Sequence, residues 1–155
     1  MASWREFETE APELAALVRA RFERTKHHVL ATLRRDGSPR VSGTEVVFWR
    51  DDLFLGSMWH AMKALDLERD GRFAIHSNPG SPEMVGGDSK LVGVATEVEG
   101  ADHEAFQAEL DPPTPFQLFR LSLSEVVHTS LNQAEDGLQV QFWRPGSPVS
   151  VVERR

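Results

Sequence analysis

The segment from residue 27 to residue 70 constrains the fold more than any other part of the chain. Apolar residues recur with a period of two from His28 to Leu33, and Asp36-Gly37 follows as a turn whose positive φ glycine supplies without steric cost. A second run of period two, Val41 to Phe48, is joined by another turn to Leu53–Leu55. Two tight hairpins in succession predict a three-stranded antiparallel meander.

A short helix is predicted to follow the meander, from Trp59 to Arg69, with Gly71 as its stop. Lys63 stands in the first turn of this helix, where the positive end of the helix dipole disfavours a cation. A bound anion, shared by the lysine, the free backbone N–H groups and the Ser57 hydroxyl, would explain this position. A solvated surface lysine would explain it as well. Gly56 precedes Ser57 and ends the third strand.

Strands dominate the rest of the chain, with helices between them. The predicted elements are a helix over 12–24, strands over 72–77 and 90–98, a helix over 102–110 capped by Asp102, and strands over 116–123, 126–131 and 138–143. Small residues in the 90–98 strand indicate that another backbone or a flat ligand approaches it closely. The polar loop over 78–89 has the length of loops that are functional or mobile.

The predicted fold is mainly β, with helices inserted between strands. No βαβ alternation occurs, so an antiparallel barrel of six to eight strands fits better than a Rossmann sheet, because closure removes exposed strand edges. The length of 155 residues predicts one domain, residues 1–155, with the N-terminal helix over 12–24 and the barrel over about 27–144.

Composition argues against several classes of function. The absence of cysteine excludes disulfides, thiolate metal sites and cysteine nucleophiles, so redox chemistry requires a bound cofactor. A net charge of -7 argues against nucleic-acid binding but leaves room for a local basic pocket for one anionic small molecule. The six histidines lack the spacings of zinc ligands, so no metal site is predicted. The sequence lacks the GxSxG nucleophile elbow of hydrolases, the Walker phosphate-binding loop and the GxGxxG dinucleotide-binding motif. Without a membrane-spanning stretch or a secretory signal, a cytoplasmic protein is expected.

The order of these motifs resembles a known family. In order, the chain has a strand, a DG turn, PRVSGTEVVF, a strand ending in LFLGS, a lysine on a helix and a strand beginning RFAI. This order is similar to that of the FMN-binding split β-barrel proteins related to pyridoxamine 5′-phosphate oxidase. LQVQFWRPG (138–146) resembles the closing strand of that family. The resemblance covers about residues 25–146. It implies a split β-barrel homodimer with two cofactor sites at the subunit interface, usually holding FMN.

The resemblance also implies which residues bind the cofactor. The second strand and the end of the third would line the isoalloxazine ring and ribityl chain, and Lys63 would contact the phosphate. Ser89 or Lys90 at the start of the fifth strand, and Trp143 from the neighbouring subunit, would complete the pocket. The full set is Ser42, Gly43, Thr44, Glu45, Val46, Val47, Leu55, Gly56, Ser57, Met62, Lys63, Ser89, Lys90 and Trp143.

Departures from the family pattern leave the cofactor open. Met62 stands where an arginine commonly pairs with the helical lysine, and Ser42 where a strand arginine often stands. A deazaflavin or haem is therefore an alternative to FMN. The stretch VSVVERR (149–155) also differs from the Arg-x-His-Asp-Arg type segment that grips pyridoxal phosphate in the true oxidases, which argues against pyridoxine metabolism.

The functional prediction is a flavin-dependent oxidoreductase in which the cofactor carries the hydride chemistry for a small-molecule substrate. A deazaflavin-dependent reductase and a non-catalytic flavin or haem carrier or sensor are the alternatives. No catalytic acid or base is predicted.

Overall fold

The computed structural model, which describes residues 1–155, contains four helices and eight strands. The helices are α1 (Trp4–Glu10), α2 (Pro12–Arg24), α3 (Met62–Arg69) and α4 (Ala101–Leu110). The strands are β1 (His28–Leu33), β2 (Pro39–Trp49), β3 (Asp52–Met58), β4 (Arg72–His76), β5 (Asp88–Val98), β6 (Phe116–Leu131), β7 (Leu138–Trp143) and β8 (Ser150–Arg154).

All strand pairs are antiparallel, in the order β3-β2-β1-β4-β5-β6-β7-β8. An additional pairing of β3 with β6 closes six strands into a barrel, and β7 and β8 extend the sheet beyond β6. The predicted class, a mainly β antiparallel barrel with inserted helices, is confirmed. No helix has both the length and the apolar character needed to cross a bilayer.

The three-stranded meander is confirmed residue by residue. β1 pairs with β2 from His28 opposite Thr44 onward, and β2 pairs with β3 with Glu45 opposite Gly56. Gly37 has φ of 86°, the positive value that the turn requires. The helix predicted over 12–24 is also confirmed, since α2 has the same bounds.

Three predicted boundaries were wrong. β6 runs unbroken over the two strands predicted at 116–123 and 126–131, because a bulge opposite Val92 and Gly93 absorbs the irregularity without ending the strand. The third helix begins at Met62 rather than Trp59, since His60 has φ of 56° and Ala61 has ψ of 150°, both outside the helical region. The cap of α4 is Gly100 rather than Asp102, whose carboxylate lies 3.6 Å from Arg120 Nη2.

Two elements were not predicted. Ser3 and Glu6 form a capping box at the start of the helix α1, whose Trp4 and Phe7 are buried. The C-terminal stretch that was treated only as a departure from the family forms β8, with Val152 opposite Val140.

The main hydrophobic core fills the barrel and extends under α1 and α2. It includes Leu30, Ile75 and Leu91, which are at most 1% exposed, and a smaller cluster around Phe54 and Phe106 lies beneath α4. Residues that alternate with Leu30, Ile75 and Leu91 stand on the opposite side of the sheet, here called the outer face. The register places Gly43, Val29, His76 and Lys90 in one row across this face.

Candidate functional site

The predicted site residues divide between the two sides of the barrel wall. Gly43, Glu45 and Gly56 stand on the outer face, with Glu45 directly opposite Gly56. Val46 packs against the main core and Leu55 is fully buried within it, so the residues that alternate with the outer-face positions face inward. The inward-facing members of the predicted set are Ser42, Thr44, Val46, Leu55, Ser57, Ser89 and Trp143.

Glycines leave the backbone bare on the outer face of β2 and β3. A Cβ added to Gly43 or to Gly56 would have no atom within 4 Å, and neither residue has a positive φ. Packing within the chain therefore does not require glycine at either position. The effect of the two glycines is to provide a flat surface on which a planar group can approach the backbone.

Lys63 lies beside this bare backbone. Its Nζ donates a hydrogen bond to the Gly43 carbonyl oxygen at 2.9 Å. Burial lowers the pKa of Lys63, and the charge of Glu45 opposes that shift. The ammonium group is thus held next to the glycine surface with donor capacity to spare, because an ammonium group has three N–H donors.

The first turn of α3 adds further donors. No side chain caps this helix, whose cap residue is Ala61 and whose first residue is Met62. The initial N–H groups of a helix have no partner within the helix, and they attract anions. The predicted pairing of Lys63 with free backbone donors therefore has a geometric basis.

A cleft of about 450 Å³ opens where β2 runs beyond its pairing with β1. Its walls include Glu45, Val46 and Val47 from the predicted set, together with Lys26 from the segment that follows α2. Lys26 Nζ lies 3.6 Å and His27 Nδ1 3.8 Å from Glu45 Oε1. Charged groups of both signs thus surround one edge of the outer-face surface.

Ser57 does not stand on the outer face with Gly43, Glu45 and Gly56. It is only 5% exposed, it faces inward like Leu55, and its hydroxyl donates to the Met58 carbonyl oxygen at 3.0 Å. The neighbouring residues Gly56 and Ser57 were predicted to share one site, but successive residues of a strand stand on opposite sides of the sheet.

The prediction that Trp143 reaches a neighbouring subunit was wrong. Its side chain is 1% exposed and packs in the main core of its own chain, where the ring centroids of Trp143 and Phe7 are 4.7 Å apart. A tryptophan at a strand end suits a core and an interface equally well in the sequence, and helix α1, which covers it, was not predicted.

Ser89 and Lys90 separate in the same way. Lys90 stands in the outer-face row with Gly43, three strands away. Ser89 is fully buried, and its Oγ lies 2.8 Å from His128 Nδ1 in a hydrogen bond. Ser89 therefore belongs to a buried polar cluster rather than to the outer face.

That buried cluster fastens the loop over 78–87 to α2. The Asn78 N–H donates to His28 Nδ1 at 3.0 Å, and His28 Nε2 lies 3.0 Å from the Phe22 carbonyl oxygen. Arg21, which is 3% exposed, donates to the Asn78 carbonyl oxygen. Since His28 Nδ1 accepts a hydrogen bond, the ring is neutral with its proton on Nε2.

The two buried histidines make stability depend on pH. Burial lowers the pKa of both His28 and His128, so protonation from near pH 6.5 downward favours the unfolded chain. We expect the free energy of unfolding to fall between pH 7.5 and pH 5.5, by at most about 1.4 kcal/mol per pH unit for each histidine. Urea unfolding at the two pH values measures this change. His28→Gln should reduce it; a change as large in that variant as in the unaltered protein would contradict the assignment.

Sequence reasoning did not single out four arginines beside Met62. Arg34, Arg35, Arg40 and Arg69 line a second cleft, of about 780 Å³, between the β1–β2 hairpin and α3. The adjacent pair at 34 and 35, next to the DG turn, was the available signal in the sequence.

Apolar side chains remain exposed on and beside the outer face. Val29 and Val92 are more than a third exposed, and Val41 is 72% exposed. Met58, Trp59 and Met62 are exposed at the end of β3 and the start of α3. Exposed apolar side chains in such number on one part of a protein are typical of an interface with another molecule.

Several solved structures share this fold. A pyridoxamine 5′-phosphate oxidase-related, FMN-binding protein from Nostoc punctiforme superposes with a TM-score of 0.62 at 16% identity, over 94% of this chain and 96% of that one. PhzG from Burkholderia lata, solved with tetrahydrophenazine-1-carboxylic acid, gives a TM-score of 0.61 at 16% identity, over 92% and 88% of the two chains. A haem-binding protein from Mycobacterium smegmatis gives 0.56 at 21% identity, over 89% of this chain and 57% of that one.

No family model matches the sequence, and no curated protein does. The solved structures confirm the resemblance inferred from the motifs at the level of the fold, which is that of the pyridoxamine 5′-phosphate oxidase-like split barrels. Proteins with this fold include both FMN-binding and haem-binding members.

Proposed function

We propose that the chain is a cytoplasmic, homodimeric oxidoreductase that binds FMN on the outer face beside Lys63 and acts on a small-molecule substrate. The observation that carries the proposal is the hydrogen bond from Lys63 to the carbonyl oxygen of Gly43, on a face where the space around Gly43 and Gly56 is open. An ammonium group next to a flat, unobstructed surface suits a ligand that joins a phosphate to a planar ring.

The residues present fit FMN in two respects. Lys63 and the uncapped first turn of α3 offer a cation and backbone donors to a phosphate. Gly43 and Gly56 have no side chain of their own to block an isoalloxazine ring that approaches β2 and β3, and the space around each is open. When bound, FMN would supply the hydride transfer, while the chain would bind the ring, orient it and shield one of its faces.

The second copy is proposed from the exposed apolar residues of the outer face. Val29, Val41 and Val92 would be removed from water by a symmetric partner that packs on the same surface. Such a partner would also enclose the open side of the glycine surface. A ring held between two chains would be better protected from water than one on an open sheet.

The first measurement identifies the cofactor that co-purifies with the protein. A purified protein with flavin absorption bands and co-purifying FMN supports the proposal, as does bleaching by NAD(P)H followed by reoxidation with an added acceptor. A Soret band would show that the cofactor is haem instead of FMN and would favour a carrier or sensor. A deazaflavin would be recognised by its mass. A colourless protein that binds none of them would contradict the proposal.

Lys63→Met is expected to weaken FMN binding by at least tenfold, because a hydrogen bond to a charged group contributes about 1.5–3 kcal/mol. Methionine keeps an unbranched apolar side chain but removes the charge. Titration of the stripped protein with FMN, followed by flavin fluorescence, measures the affinity, and sedimentation measures the mass of the loaded dimer. Arg154→Met, at the opposite end of the sheet on β8, is the control and should bind FMN normally. Equal affinities in the two variants would remove Lys63 from the site.

A further inference from the structure

The cleft lined by Arg34, Arg35, Arg40 and Arg69, here called the arginine cleft, has no role in the site proposed above. It lies between the β1–β2 hairpin and α3, and Met62 and Leu65 form its apolar lining. Its remaining walls are the acidic residues Asp36, Asp66 and Glu68.

Each of the three carboxylates is already engaged. Asp66 is 1% exposed and accepts hydrogen bonds from Thr32 Oγ1 at 2.8 Å, Arg40 Nε at 2.7 Å and Arg69 Nη2 at 2.9 Å. The carboxylate of Asp36 accepts from the backbone N–H and the hydroxyl of Ser38, within the hairpin turn. The carboxylate of Glu68 accepts from Gln117 Nε2.

The arginines are not satisfied to the same extent. Arg34 and Arg35 are exposed, and neither side chain makes an ion pair or a hydrogen bond with another residue. Arg40 uses only its Nε toward Asp66, so its two terminal nitrogens are free. The buried carboxylate thus fixes the direction of Arg40 without consuming its terminal donors.

The cleft combines arginines that are anchored with arginines that are unpaired around an open space. Arg40 and Arg69 are anchored by Asp66, and Arg69 Nη2 also donates to the Leu33 carbonyl oxygen at 2.8 Å. Arg34 and Arg35 project from the hairpin with their side chains unpaired. Guanidinium groups bind phosphate and carboxylate groups in pairs of parallel hydrogen bonds, and one small anion can satisfy only one or two of them.

We infer that the arginine cleft binds a small polyanion, a molecule with two or more phosphate or carboxylate groups. In a chain of net charge -7, a cleft with two unpaired arginines is a local exception that would draw such an anion from solution. The inference does not depend on FMN. Met62 lines the cleft and Lys63 is the next residue, so the polyanion is either an acidic extension of the bound cofactor or a separate ligand beside it.

Inorganic tripolyphosphate is the probe, with binding to the stripped protein measured by calorimetry. We expect it to bind at least tenfold more tightly than orthophosphate, and Arg34→Gln/Arg35→Gln to lose at least tenfold of that affinity. Arg154→Gln/Arg155→Gln removes two adjacent exposed arginines at the C-terminus and is the matched control, which should keep the affinity. Equal affinity in the two double variants, or no binding by the unaltered protein, would overturn the inference.

The same measurement on cofactor-loaded protein distinguishes the two sources. If the polyanion is part of the cofactor, the loaded protein will not bind tripolyphosphate and the co-purified cofactor will carry extra acidic groups by mass spectrometry. If it is a separate ligand, loading will leave tripolyphosphate binding in place. Loss of FMN binding without loss of tripolyphosphate binding would refute the proposed function alone.

Discussion

Replacing Asp66 by alanine is expected to lower the free energy of unfolding by about 3–5 kcal/mol, as happens when one partner of a buried ion pair is removed. The side chain is 1% exposed, and three donors converge on it from β1, β2 and α3. Burial raises the pKa of Asp66, but the hydrogen bonds from Arg40, Thr32 and Arg69 outweigh burial, so the pKa lies below its ordinary value. Alanine would leave the Arg40 and Arg69 guanidinium groups without this carboxylate.

Urea unfolding at pH 7 measures the loss, and Asp70→Ala is its control. Asp70 lies four residues later and pairs with Arg72 at the surface, so its removal should change stability little. Because the pKa of Asp66 is lowered, its contribution is present at neutral pH and is lost only as the pH falls below about 4. A loss in Asp66→Ala no larger than in Asp70→Ala would show that the buried network does not hold α3 to the barrel.

Gly93→Ala is expected to destabilise the barrel by about 3 kcal/mol, the upper part of the usual range for overpacking. A Cβ at Gly93 would lie 1.7 Å from the Ser122 carbonyl oxygen and 2.8 Å from its carbon, both of them backbone atoms of β6. No side-chain movement can relieve this overlap. β5 and β6 would have to separate, and theirs is the longest pairing in the sheet.

Gly43→Ala is the matched control for stability, since it lies in a strand and a Cβ there meets nothing within 4 Å. It should leave stability unchanged or raise it slightly, because alanine has less freedom than glycine in the unfolded chain. The midpoint of urea unfolding, at unaltered slope, measures both variants. Comparable midpoints for Gly93→Ala and Gly43→Ala would contradict the close approach of β6 to Gly93.

The close approach at Gly93 was predictable because it depends on local sequence. Small residues in a strand of period two indicate that something must come near, and the structure identifies the neighbouring backbone. The β1–β2–β3 meander was predictable for the same reason, since period and turn residues are both local. The unbroken course of β6 was not, because a bulge depends on the partner strand.

The closeness of Lys63 to the second strand was predictable, whereas the side of the sheet on which several other predicted residues stand was not. Lys63 and Gly43 come together across the start of α3 as the position of the lysine indicated. Ser57 and Trp143 were misplaced because the side of a strand that faces the core follows from packing partners, among them α1. The arginine cleft could not be predicted, since Arg40 and Arg69 are far apart in sequence and come together at the buried Asp66.

The strand β6 also determines the order in which the chain can assemble. It pairs with β3 near its start, with β5 along its middle and with β7 toward its end. The meander needs only tight turns and the β4–β5 pair a loop of 11 residues, so both can form early. The β3–β6 contact joins segments distant in sequence, so closing the barrel carries the largest loss of chain entropy and comes late. A nascent chain that has not yet made β6 therefore holds β3 with an unpaired edge, and in that interval the chain is most exposed to association with other unfinished copies.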